Sequence, residues 1–270
     1  MSEVERLFSV GGGFFLIAGP CLLEHDELNL FVAHELVRLR ARFEIPIIFK
    51  ASFDKANRSK AGAARGPGLR AGVELLARVK QETGLPVLTD VHEPEQAQAA
   101  AEVCDVLQIP AFLSRQTDLV VAAARTGRAV NIKKGQWMAP AELRGAVAKA
   151  RDAGAGAVAV TERGTFFGYG DLVVDMRNLA RLRQATGAPV IFDGTHSVQR
   201  PGQAEGASGG DPEFTPLLVR AATGAGADGL FLEVHPRPQE APSDGRNMLP
   251  LGQLESLLKQ ALAIREAIRE

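Results

Sequence analysis

Ile45-Pro46-Ile47-Ile48-Phe49-Lys50-Ala51-Ser52-Phe53-Asp54-Lys55-Ala56-Asn57-Arg58-Ser59 changes character abruptly at Lys50. Up to Phe49 the run is aliphatic and aromatic, with the length and residue types of a strand buried on both faces. From Lys50 to Ser59 it offers three cations, an amide and two hydroxyls. Lysine supplies a point charge and arginine a planar two-toothed fork, so this loop suits a ligand bearing phosphates or carboxylates. A solvated basic loop is the plain alternative for the segment taken alone.

Similar short apolar runs recur on both sides of it: Phe14–Ala18, Val87–Thr89, Val106–Ile109, Ala129–Ile132, Ala157–Thr161, Val190–Phe192 and Gly229–Leu232. With Ile45–Phe49 they make about eight strands, separated by segments of helical length, which is the expectation for a closed parallel barrel. The helical segments are Glu27–Arg42, Gly68–Thr83, Pro94–Val103, Gln116–Arg125, Pro140–Ala153, Leu172–Thr186, Asp211–Thr223 and Leu251–Arg269. Several are followed by a glycine, such as Gly84, Gly127 and Gly187, as helix ends commonly are. The chain of 270 residues is close to the roughly 250 typical of such a barrel. The fold expected is therefore a single (β/α)8 TIM barrel occupying 1–270, with a short N-terminal extension before Gly11 that covers one end.

Composition narrows the function. The 31 basic and 32 acidic residues leave a net charge of −1, so no global field points to nucleic acid, and a cationic site has to be local. No apolar run approaches the roughly 20 residues of a membrane span. Two cysteines, Cys21 and Cys104, are too few for a disulfide framework, and no charged-then-apolar leader precedes Gly11. A reducing, cytoplasmic setting is expected.

Parallel barrel strands end together, so residues at their C-terminal ends share one mouth. These are Cys21; Lys50, Lys55, Asn57, Arg58 and Ser59; Asp90 and His92; Gln108; Lys133; Arg163; Asp193 and His196; and Glu233, His235 and Asp244. One polar residue at a strand end is commonly a helix cap or turn former. Cations from several strands at once are not explained that way. Lys50, Lys55, Lys133 and Arg163 suit a small, highly charged ligand, while Asn57, Arg58 and Ser59 lie farther out and suit a second phosphate. Cys21, His196, Glu233 and Asp244 are each competent ligands for a borderline divalent metal, although their spacing is no motif and a cysteine beside an apolar strand is commonly an inert core thiol.

At this level of detail the chain resembles the 3-deoxy-D-manno-octulosonate 8-phosphate synthases. The resemblance is carried by KASFDKANRS (Lys50–Ser59), GPGL (Gly66–Leu69), LTDVHE (Leu88–Glu93), LQIPAFLSRQT (Leu107–Thr117), NIKKGQ (Asn131–Gln136), VIFDGTHSVQRPG (Val190–Gly202) and EVHPRPQEAPSDGRNMLPL (Glu233–Leu251). That family condenses phosphoenolpyruvate with D-arabinose 5-phosphate and water, a step toward the inner-core sugar of lipopolysaccharide. The resemblance implies phosphoenolpyruvate on Lys50, Lys55, Gln108, Lys133, Arg163 and His196, and the sugar phosphate on Lys55, Asn57, Arg58, Ser59 and Arg115, with one or both of Arg58 and Arg115 supplied by a neighbouring subunit. It implies Lys50, Lys133, His196 and Asp244 as the catalytic set and a homotetrameric assembly. Cysteine after Gly19-Pro20 marks the metal-dependent branch, so one divalent ion per subunit (Zn, Fe or Mn) is expected on Cys21, His196, Glu233 and Asp244. Asn57 stands where the related 3-deoxy-D-arabino-heptulosonate 7-phosphate synthases, which use erythrose 4-phosphate, resemble Lys-Pro-Arg-Thr-Ser; it favours the five-carbon sugar. Departures from the family pattern are Lys60 with Ala61–Ala64, Trp137-Met138, Arg237 and Arg246. A Schiff-base aldolase using Lys50 or Lys133 and a non-catalytic sugar-phosphate-binding barrel are the readings from other classes.

Overall fold

The computed structural model describes residues 1–56, 64–204 and 207–268. Its centre is a closed parallel barrel of β1 (Phe15–Gly19), β2 (Ile47–Lys50), β3 (Val87–Asp90), β4 (Val106–Ile109), β5 (Ala129–Lys133), β6 (Val158–Glu162), β7 (Val190–Asp193) and β8 (Gly229–His235). Each strand pairs with the next, and β1 closes the ring against β8 from Phe15 opposite Gly229 to Gly19 opposite Glu233. Leu249–Pro250 adds a short parallel strand to the end of β8. The barrel expected from the sequence is present.

Side chains alternate across the barrel wall, because successive strand residues point to opposite faces. The outward set, including Leu16, Ile47, Phe49, Val87, Leu107, Val130, Ile132, Val158, Val160, Val190, Phe192, Leu230 and Leu232, packs under the helices as one large apolar layer. The inward set starts apolar at the N-terminal end, with Phe15, Ile17, Ile48, Leu88, Val106, Ala129, Ala159, Ile191 and Phe231. Farther along the same inward rows come Lys50, Asp90, Gln108, Asn131, Lys133, Thr161, Asp193 and Glu233, all buried. The barrel is thus apolar at its floor and charged at its mouth.

The short N-terminal helix Glu3–Leu7 closes the floor. Ser2 caps it through a reciprocal pair of bonds with Glu5, and Val4, Leu7 and Phe8 pack onto the inward apolar residues. Burying a leucine or phenylalanine this way stabilises the fold by about 1.5–3 kcal/mol each. At the other end of β1, Gly19 lies so close to the Lys50 backbone that any side chain would collide with its carbonyl. That approach brings the loop carrying Cys21 alongside Lys50.

Helix boundaries agree with the sequence reading to within a few residues, with one exception. Leu172–Asp175 is not helical; Asp171–Val173 pairs antiparallel with Thr165–Gly168, and the helix begins at Arg177. Tyr169 and Gly170 both take positive φ (56° and 100°), as a two-residue hairpin turn requires. The β-branched Val173 and Val174 favour that strand over a helical turn. A second hairpin joins Gln199–Ala204 to Ala207–Gly210.

Candidate active site

The mouth of the barrel holds a lattice of opposite charges. On β2, Lys50 donates to the Cys21 carbonyl at 2.9 Å and to Glu233 Oε1. Lys55 donates to Ser52 Oγ at 2.8 Å and stands 3.7 Å from Asp90 and 3.8 Å from Glu233. On β5, Lys133 donates to Asp193 at 2.7 Å, with its ammonium 3.6 Å from the centroid of the Phe231 ring. Phe231 therefore forms both the top of the apolar floor and the underside of the charged layer. A cation over an aromatic face is held electrostatically as well as by its carboxylate.

Inward polar residues brace this lattice across strands. Thr161 donates to Asn131 at 2.8 Å, Asn131 donates to Gln108 at 2.8 Å, and Gln108 donates to Asp90, which also accepts from Ser52. Gln108 thus spends its carbonyl and one amide N–H on neighbours.

Burial opposes charge here, and the partners decide who stays ionised. For Asp90, burial pushes the carboxyl up, but Lys55, Lys50 and Lys133 hold it well below the ordinary carboxylate range. Asp193 and Glu233 are held low in the same way, Asp193 by His196 and Lys133 and Glu233 by Lys50, His196 and Lys55. Burial lowers Lys55, but the neighbouring Cys21, Glu233, Asp90 and Asp244 outweigh it and the ammonium is raised. Burial wins for Lys133 and Arg163, which are lowered.

Of the buried side-chain atoms without a hydrogen-bond partner among the described residues, two belong to charged groups facing this mouth, and they carry opposite signs. Arg163 is 4% exposed; its Nη2 donates to Gln199 Oε1 at 2.5 Å, while Nη1 has no acceptor. An arginine edge buried without an acceptor is a place for an anion. Glu233 is fully buried, and its Oε2 has no donor. His196 Nε2 lies 3.6 Å from that oxygen and 3.6 Å from Asp244 Oδ2, too far for hydrogen bonds and suitably spaced for a shared cation.

His196, Glu233 and Asp244 are the one group among the described residues whose ligand atoms all fall within 4.8 Å of one another. His196 Nδ1 is engaged with Asp193 Oδ2 at 2.8 Å, which orients the ring and leaves Nε2 toward the two carboxylates. Asp244, at φ 51°, is fixed by Asn247 at 2.8 Å and Gln199 at 3.0 Å. One imidazole and two carboxylates, one with an unsatisfied buried oxygen, fit a borderline or hard divalent cation. Cys21 lies beside this group rather than within it: its sulfur meets Ser243 Oγ at 3.0 Å, and burial, followed by Glu233, pushes the thiol up to about 12.

Of the residues expected from sequence, Lys50, Lys55, Gln108, Lys133, Arg163, His196, Glu233 and Asp244 converge on the mouth, with Cys21 adjoining. Asn57, Arg58 and Ser59 lie outside the described residues. Arg115 is turned to the surface, 3.9 Å from Glu142, where it lines a cleft with Thr117 and Lys149. The sequence reading missed Gln199, which joins Arg163 to Asp244, and the roles of Asp90 and Asp193 as counter-charges. It also missed Lys134 and Glu162, buried just behind Lys133 and Arg163. Strand-end position marked Asp90 and Asp193 as candidates; nothing in the spacing marked Gln199.

Comparison with known proteins agrees with this geometry. A model described as the DAHP synthetase I family matches residues 7–270. A 2-dehydro-3-deoxyphosphooctonate aldolase of Koribacter versatilis is 54% identical over 261 residues, 96% of this chain and 93% of its own. Proteins of the same name from Syntrophotalea carbinolica (52% over 254 residues, 94% of this chain and 91% of that one) and a Synechococcus strain (51% over 271 residues, 100% and 95%) are similar. With the match running almost end to end, the chain belongs to the DAHP synthetase I family.

Proposed function

We propose that this barrel condenses phosphoenolpyruvate with D-arabinose 5-phosphate and water, giving 3-deoxy-D-manno-octulosonate 8-phosphate and inorganic phosphate. The observation that carries the reading is the pair of buried, unsatisfied atoms of opposite sign in one mouth, Arg163 Nη1 and Glu233 Oε2. The first calls for an anionic group and the second for a cation or proton donor. The relatives' name favours the octulosonate product over the heptulosonate one. A borohydride-trappable lysine is not needed: Lys50 and Lys133 are each committed to a carboxylate.

In this reading Arg163 and Lys133 take the phosphate of phosphoenolpyruvate, with Lys50 and Lys55 facing its carboxylate. The C3 carbon attacks the sugar aldehyde, forming the new C–C bond while the aldehyde oxygen takes up a proton. Water adds at C2, and the C2–O bond to phosphate breaks. His196 Nδ1 is engaged with Asp193 and its Nε2 faces the proposed cation position, so handling of the water proton is assigned to Asp244, whose carboxylate retains acceptor capacity beyond Gln199 and Asn247.

His196, Glu233 and Asp244, with Cys21 adjoining, would hold one divalent ion (Zn, Fe or Mn), which when bound polarises substrate oxygens and offsets the carboxylate charge facing Lys50 and Lys55. The sugar phosphate is assigned to Lys55, Asn57, Arg58 and Ser59, with Arg115 from a neighbouring copy of a homotetramer. The exposed stack of Phe112 on Trp137, 5.8 Å between centroids and close in sequence to Arg115, supports such an assembly. No helix among the described residues is long and apolar enough to cross a membrane, and a cytoplasmic location is proposed. The test is phosphate release with arabinose 5-phosphate and erythrose 4-phosphate offered in parallel: turnover with the five-carbon sugar is expected, and preference for erythrose 4-phosphate refutes the assignment.

A further inference from the structure

Lys133 and Arg163 face into the barrel on adjacent strands, so their chain neighbours Lys134 and Glu162 face out, into the layer between the strands and the helices. Both are 0% exposed. They lie behind the wall of the mouth rather than within it. Glu162 Oε1 accepts the backbone N–H of Arg163 at 2.9 Å and of Gly164 at 2.7 Å, and lies 3.4 Å from Lys134 Nζ. Lys134 in turn donates to the carbonyls of Gly135 (3.2 Å) and Gly164 (3.1 Å) and to Thr165 Oγ1 (3.3 Å). The Lys134 N–H donates to the Thr161 carbonyl and the Phe166 N–H to the Gln136 carbonyl, so the rims of β5 and β6 are joined above and below the pair.

Burying two charges is costly, and an apolar pair of similar size often serves stability as well or better. The contribution of this pair is therefore sought in geometry. Two successive N–H groups aimed at one carboxylate oxygen fix the turn in which Gly164 takes φ +92°, and that turn directs the Arg163 side chain inward. Lys134 ties the same turn to the strand that carries Lys133.

We propose that Glu162 and Lys134 form a positioning pair behind the barrel wall that fixes Arg163 relative to Lys133, and so sets the affinity of the mouth for the phosphate of its smaller substrate. The inference rests on the reading of that mouth as a phosphoenolpyruvate site. Its test is the double variant Lys134→Met/Glu162→Leu, an apolar pair of comparable volume, measured by thermal melting, by calorimetric binding of phosphoenolpyruvate and by the KM of each substrate. The expected result is a lowered melting temperature, since the backbone groups now paired with Glu162 and Lys134 lose their partners, with phosphoenolpyruvate binding and KM weakened at least tenfold and a KM for arabinose 5-phosphate within about twofold. Unchanged phosphoenolpyruvate binding, or equal weakening of both substrates, overturns it. Should the double variant not fold, Glu162→Gln keeps the size and an acceptor oxygen: phosphoenolpyruvate weakened at least threefold with the sugar unaffected supports the pair, and wild-type affinity overturns it. A wild-type protein that binds no phosphoenolpyruvate would instead refute the functional reading, which separates the two failures.

Discussion

Replacing Arg163 by methionine separates binding from stability with unusual clarity. The side chain is 4% exposed, one guanidinium edge is held by Gln199, and the other has no acceptor. A charge-assisted hydrogen bond contributes about 1.5–3 kcal/mol. At 1.4 kcal/mol per tenfold, its loss weakens phosphoenolpyruvate by about 10- to 150-fold. The fold should feel the change much less. Methionine leaves Gln199 Oε1 without its donor, at about 1–3 kcal/mol, but it also removes a cation whose burial already disfavours its charge and whose desolvation costs several kcal/mol. With these terms opposed, the melting temperature is expected to stay within a few degrees of wild type. Calorimetric titration with phosphoenolpyruvate, alongside phosphate-release kinetics at saturating sugar, measures the effect. A dissociation constant within threefold of wild type, or a large fall in melting temperature with binding intact, would refute the argument.

Other perturbations address other parts of the molecule. On the proposed reading of one divalent ion per chain, Glu233→Gln should lower bound metal toward none after dialysis and the adjoining Cys21→Ala should lower it less, with the circular dichroism spectrum unchanged; full retention by Glu233→Gln contradicts the assigned ligands. The depressed carboxyl of Asp90 contributes stability that is complete above the unfolded value of about 4 and is lost as pH falls through the folded value. Melting temperature should therefore drop below about pH 4, and Asp90→Asn should flatten that drop while lowering stability at neutral pH; an identical slope in the variant counts against the counter-charge role. Leu7→Ala opens the plugged floor of the barrel and should destabilise by about 2–5 kcal/mol in a denaturant titration, with KM values unchanged at 25 °C. A change below 0.5 kcal/mol would show that the N-terminal helix contributes little.

The strands were legible in the sequence because each is buried on both faces and bounded by turn residues, and their shared direction placed the candidate site at their ends. The one misplaced element, Leu172–Asp175, has an apolar pattern compatible with either helix or strand; pairing with Thr165–Gly168 decided it. Legibility was lower for partners than for ligands. Lys50 and Glu233 are 183 positions apart in their bond, and Cys21 and Ser243 are 222 apart, so only the ring order of strands brings them together. Alternation along β5 and β6 already separates Lys133 from Lys134 and Arg163 from Glu162. What it cannot supply is that the two outward residues meet. Gln199 was invisible for a similar reason, since its amide acquires meaning only when a donor-only guanidinium and an acceptor-only carboxylate stand on either side.

The central claim is that a cation and a phosphate share one mouth, a short side-chain distance apart. Crystals grown with manganese and phosphoenolpyruvate test it most directly through the anomalous difference map. The account predicts a peak between His196 Nε2, Glu233 Oε2 and Asp244, with the phosphate on Arg163 and Lys133. A manganese peak away from those three side chains, or phosphoenolpyruvate bound without touching Arg163, would contradict it.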